Sequence, residues 1–213
     1  MKNIMLRYGC FMKTIVRLAA VALTGLGLSG CLHTPLSALV RLGRIDTTAV
    51  DPGAVRLAAR APDWLDAAPG HVHLKATLHA GEADEKEIVF DLVDLSTPED
   101  LRALSGEARA GSRFAVFAAS AADVARLRDI QARARAEKAQ GVDHRGRLQF
   151  YAEPCRRGDP APGPAMVDLY VKFGAGEDFV KVYADADLRD PAMLGGTLET
   201  VIPLCGKTAL RAK

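Results

Sequence analysis

Enzyme signatures are missing from this chain of 213 residues. It holds no G-x-S-x-G elbow, no phosphate-binding glycine loop, no dinucleotide fingerprint and no H-E-x-x-H helix. Its serines, acids and histidines have no spacing that sets a nucleophile beside a base. A scattered active site survives that test, so the chain leans away from catalysis without excluding it, and no cofactor is implied. An excess of one charge is lacking too, with 28 basic residues against 26 acidic ones. Aromatics are scarce at 6%, yet 49% of the residues are hydrophobic and 25% charged. That is the profile of neither a disordered polyelectrolyte nor a polytopic membrane protein. No repeat of solenoid period is found. The length suits one globular domain with a sizeable core.

The first thirty residues contain no acid and four bases, Lys2, Arg7, Lys13 and Arg17. An uncharged apolar stretch from Leu18 to Leu28 follows, the layout of an export signal. It is about half the ~20 residues that a spanning helix needs, and Gly25 and Gly27 weaken its far end. Directly after it stands Leu28-Ser29-Gly30-Cys31, which resembles the lipobox of bacterial lipoproteins. The resemblance implies that Cys31 takes a diacylglyceryl group, that cleavage falls between Gly30 and Cys31, and that the new amine is acylated. Two or three acyl chains hold a protein on a membrane where one does not. An ordinary cleaved signal with an incidental Cys31 is the rival reading. In bacterial lipoproteins an aspartate after the lipidated cysteine retains the protein in the inner membrane, so with Leu32 there the resemblance implies the outer membrane, facing the periplasm. Met12-Lys13-Thr14 also opens a complete signal, which would leave Cys10 without a role. Removal of the signal takes four bases and no acid, so 24 bases face 26 acids in the exported part. The support for a nucleic-acid partner goes with it.

Residues 31–53 read as a lipidated tether with a short helix, Leu36 to Leu42, capped by Thr34-Pro35 and stopped by Gly43. Asp51-Pro52-Gly53 is a turn signal that opens a single domain, 54–213. Its two remaining cysteines, Cys155 and Cys205, are expected to form a disulfide in an oxidising envelope. A reactive thiol or metal thiolate is the rival, and it lacks a flanking C-x-x-C.

Val55 to Ala61 alternates as a half-exposed strand. His71 to Ala80 and Ile88 to Leu92 read as a hairpin with all apolar side chains on even positions and a turn at Gly81 to Glu85. The register then sets His79 opposite Glu87 and Lys75 opposite Asp91. A short helix starts at Thr97-Pro98 and ends at Leu104. Further strands are expected at Arg113 to Ala118, Leu148 to Glu153, Met166 to Phe173 and Phe179 to Tyr183, with a turn or short helix at Asp187 to Leu194 and a closing extended segment from Leu198 to Leu204. Ser120 caps the longest helix, to about Gln140, with Val124, Leu127, Ile130 and Ala134 as its apolar stripe. The fold class is α+β, an antiparallel sheet of about seven short strands with one long covering helix; a β-sandwich with an inserted helix is the alternative.

His71 and His73 share one strand face about 6–7 Å apart, a spacing that suits two ligands of one metal. A third ligand would have to come from another element, such as His144 or a carboxylate, so no metal is assigned. Asp143 to Arg147 is a polar loop, and Arg156 to Pro164 an exposed, semi-rigid connection that could touch a partner. The leading expectation is a non-enzymatic envelope lipoprotein that serves as a protein-interaction or structural module. A small-ligand or lipid-binding lipoprotein, with a cavity between sheet and long helix, comes second, and an envelope hydrolase third.

Overall fold

The computed structural model describes residues 49–80, 84–142, 144–190 and 196–206, with Pro35, Ala38, Ile45 and Asp46. The export signal, Cys10, Cys31 and, apart from Ala38, the short helix at 36–42 lie outside the described residues.

Seven strands follow in chain order: β1 Arg56–Pro62, β2 Leu65–Ala80, β3 Asp84–Asp94, β4 Ser112–Ala119, β5 His144–Arg156, β6 Met166–Lys172 and β7 Val180–Asp187. Among the described residues from 49 on, the helices are α1 Pro98–Ala103, α2 Ala121–Ala139 and α3 Leu198–Val201, with a 3-10 turn at Ser105–Glu107. The strands form one sheet in the order β5-β2-β3-β4-β1-β6-β7, and every neighbouring pair is antiparallel. The fold is thus mostly antiparallel β with few helices.

Helix starts follow local chemistry. Thr97 Oγ1 accepts the Asp100 N–H at 3.1 Å and Pro98 fills the first turn. Ser120 Oγ does the same for Asp123 N at 3.1 Å. Gly141, just past α2, takes φ +84°, a region that glycine enters without a Cβ clash. Val124, Leu127, Ile130 and Ala134 of α2 are half-buried. Its contacts run along β3 and on to the segment before β1. Asp123 Oδ2 accepts Asp91 N, the Arg126 guanidinium lies 5.2 Å from the Phe90 ring centre, and Gln131 Nε2 donates to Val50 O.

The β2–β3 register differs from the sequence expectation by two residues. His73, not Lys75, stands opposite Asp91, and His79 stands opposite Glu85. A shift of two leaves every apolar side chain on its expected face, so hydrophobic alternation cannot distinguish the two registers. The tighter closure at Ala80↔Asp84 decides it. Strand β2 also begins earlier than expected, at Leu65, because an irregularity between Ala67 and Val72, with Gly70 at φ +74°, lets the strand carry on past Pro69.

The closing segment is corrected as well. Leu198–Val201 is helical, with Thr197 in the N-cap position, and Ile202 N donates to Leu198 O at 2.8 Å. Leu198 and Ile202 are spaced for one helix face, and both bury against Leu65 and Ala165. Pro203 cannot continue the helix, and the chain then forms a parallel bridge from Leu204 to Arg156. Cys155 and Cys205 form the expected disulfide there, with Cα atoms 4.9 Å apart.

Candidate functional site

The strand alternation sorts β1 into two faces. Ala58, Arg60 and Pro62 are buried on one, where Leu104 of the α1 connection packs against Ala58, Val116 and Tyr170. Leu57, Ala59 and Ala61 point to the other, in register with Phe117, Ala115 and Arg113 of β4. This second face is concave. Phe150 of β5, at one end of the strand order, packs against the cluster of Leu169 and Tyr183 from β6 and β7 at the other end.

A cavity of about 140 Å³ lies inside that curl. Six of its lining residues are alanines, Ala59, Ala61, Ala67, Ala115, Ala152 and Ala186. Larger side chains at those inward positions would fill the space. The void therefore follows from the choice of alanine on a strongly curved face, and Phe117, Phe150 and Leu169 make its walls apolar. A cavity of this size and lining is one that an apolar molecule about as large as benzene can enter. It differs in place from the sequence expectation: no residue of α2 lines it. The long helix and β3 instead flank a polar groove bordered by Arg126, Asp129, Arg133 and Glu87.

Only two lining residues are charged, Asp66 and Arg113. Arg113 Nη2 lies 2.6 Å from Asp66 Oδ1 and donates to Leu65 O at 3.1 Å. Arg157 reaches the same carboxylate, Nε to Oδ2, at 2.9 Å. Burial alone would raise the Asp66 pKa, but the Arg113 hydrogen bond and charge, the Ala67 N–H and the Arg157 charge outweigh it and hold the carboxyl below its ordinary value. Arg113 Nε is buried and has no hydrogen-bond partner.

No protein-family model, curated protein or solved structure matches this chain. The functional reading therefore rests on the geometry of its own residues.

The opposite face holds a second polar group. Arg60 and Asp168 pair in the interior, Arg60 Nη1 donates to Glu107 O, and Asp168 Oδ1 accepts Asp185 N at 2.6 Å. Asp185 takes φ +51°, unusual for a residue with a Cβ, at the place where the β6–β7 register shifts. Tyr170 donates to Glu107 Oε2 at 3.2 Å, and Lys181 reaches the same oxygen at 2.6 Å. Burial pushes the Tyr170 phenol well above its ordinary value. These groups satisfy one another, and the Arg60 and Asp168 side chains are buried, so they read as structural.

The two candidate metal-binding histidines are drawn to different strands. His71 Nδ1 lies 2.7 Å from Glu153 Oε2 of β5, and His73 Nδ1 lies 2.9 Å from Asp91 Oδ1 of β3. Among the described residues no group of three or more potential ligands converges. The side chains of His79 and His144 lie outside the described residues. The acid expected beside His79 belongs instead to Lys75, which pairs with Glu87.

The cavity was not read from the sequence. A signal for it exists in Ala59, Ala61 and Ala115, small residues at successive inward positions, but the curvature that turns small side chains into a void is a tertiary property.

Proposed function

We propose that this chain is a lipid-anchored binding protein of the bacterial cell envelope whose body takes a small apolar ligand. The observation that carries the binding reading is the alanine-lined concave cavity. Its lining is mostly apolar with two charged residues, Asp66 and Arg113, as small-molecule sites commonly are. The anchoring reading rests on Leu28-Ser29-Gly30-Cys31. Residues 1–30 are the signal, Cys31 carries the lipid, 31–53 form the tether and 54–213 the binding domain, at the periplasmic side of the outer membrane. The long helix α2 serves as the cover of the sheet beside β3, away from the cavity.

Each half has its test. Labelled palmitate is incorporated by the wild-type protein and lost in Cys31→Ala; a Cys31→Ala protein that still takes label and fractionates with membranes overturns the anchor. For the ligand, residues 32–213 secreted behind an ordinary cleaved signal carry every strand and helix described above, free of lipid and detergent. Native mass spectrometry of this protein is expected to show a small adduct. A clean apo mass, together with no binding of added apolar probes, overturns the ligand reading.

A protein partner is the second reading, favoured by Val89 and Val93, which lie on the outward face of β3 and are 49% and 45% exposed. Cross-linking in intact cells that recovers one reproducible partner through β3 supports it, and failure to recover any removes it.

A further inference from the structure

The mouth of the cavity carries an unbalanced charge. There one carboxylate, Asp66, meets two guanidiniums, those of Arg113 and Arg157. The contacts of the Arg113 fork with Asp66 and Leu65 are both made by Nη2, while its buried Nε has no partner. That Nε is closed off from solvent and cavity alike, so what Arg113 offers a ligand is its positive charge and the edge of the guanidinium that lines the cavity. Arg113 itself is placed by the strand. It precedes Ala115 and Phe117 on the inward face of β4, opposite Ala61, and so stands at the end of the apolar lining. An apolar chamber that ends in an excess guanidinium is complementary to a molecule with an apolar body and one anionic head.

We propose that the ligand is a monoanionic amphiphile, a medium-chain fatty acid, with its hydrocarbon in the alanine-lined cavity and its carboxylate at Arg113. This rests on the cavity reading above and adds the head group. One ligand carboxylate beside Asp66 brings two acids against two guanidiniums. Arginine favours carboxylates because its planar fork matches their two oxygens. The chamber of about 140 Å³ has room for the terminal carbons of a single chain, which disfavours a diacyl lipid.

The test compares octanoate with octanol, which share a hydrocarbon body and differ in charge, by calorimetric titration of the secreted 32–213 protein at pH 7. Octanoate is expected to bind at least tenfold more tightly than octanol. In Arg113→Met, which keeps the aliphatic stem, that ratio should fall to near one. Arg157→Gln is the second variant, at a half-exposed residue outside the core, and should lower the ratio without abolishing it; it decides the matter if Arg113→Met does not fold. Equal binding of the two probes to the wild-type protein overturns the head-group inference and leaves the cavity reading standing. Binding of neither overturns both.

Discussion

Arg60 and Asp168 stand directly opposite each other on β1 and β6, and their side chains are only 2% and 0% exposed. A charge moved into so dry a place loses its hydration, and only a partner with good hydrogen bonds makes up for it. Here Asp168 receives both the Arg60 guanidinium and the Asp185 N–H, so the pair also fixes the β6–β7 irregularity. Removing one partner leaves the other buried and uncompensated. Asp168→Ala is expected to lose about 3–5 kcal/mol of unfolding free energy. The double variant Arg60→Met, Asp168→Leu should recover most of that loss, because an apolar pair of similar size has no charge to desolvate. Urea denaturation of the two proteins checks the order; a double variant no more stable than the single one contradicts the account.

The Cys155–Cys205 bond should stabilise chiefly by restricting the unfolded chain. The two cysteines are 50 residues apart in sequence, and closing a loop of that length contributes about 4 kcal/mol on the chain-entropy model. The native geometry needs little from the bond itself, since Arg156 N and Cys205 N already exchange backbone hydrogen bonds with Pro203 O and Arg156 O. Reduction should therefore lower the denaturation midpoint while leaving the far-ultraviolet spectrum of the folded protein unchanged. A spectrum that changes on reduction under native conditions would mean that the bond holds the closing segment in place.

Much of this architecture is legible from local pattern. Thr97 and Ser120 cap helices because their hydroxyls meet free N–H groups three residues on, and Gly141 ends α2 by its positive φ. The two body cysteines pair because they are alone in the described fold. What alternation could not fix was the β2–β3 register, since both candidates put Leu74 and Phe90 on the same face, and the ion pairs moved with it to His73–Asp91 and Lys75–Glu87. The segment from Leu198 to Leu204 misled for a related reason. Leu198 and Ile202 lie four apart, a spacing compatible with one face of a strand and with one face of a helix. The cavity depends on strands distant in sequence curling toward each other, and no local window contains that.

Acid should unfold this protein through a small set of carboxyls. Asp100, buried at the start of α1, feels burial as its largest influence, which raises its pKa. The Lys172 and Thr97 hydrogen bonds and the Lys172 and Arg56 charges together outweigh that and hold it below its ordinary 3.8. At Glu107 the Lys181 hydrogen bond is the largest influence, and its pKa lies below the ordinary 4.5. A carboxyl depressed in the fold contributes stability that is present above its unfolded value and is lost as pH falls through the folded one. Stability measured by urea midpoint should hold from pH 7 to about 5 and fall progressively below about pH 4.5. Asp100→Asn should be less stable at pH 7 and show a shallower fall with acid. An unchanged slope in that variant would remove Asp100 from the set.

Filling the cavity separates its role in binding from its role in folding. Ala115 lies inside it, paired with Ala59 across the β1–β4 ladder. Leucine at this position adds three carbons to a space of about 140 Å³, so the new side chain can be taken up without displacing Phe117 or Leu169. Each methylene buried there contributes about 0.8 kcal/mol, and Ala115→Leu should raise stability by up to about 2 kcal/mol. The same variant should lose octanol and octanoate binding together, because both need the volume. A protein that is destabilised by the leucine would show that the walls have no slack, whereas one that is stabilised and still binds both probes would place the ligand elsewhere.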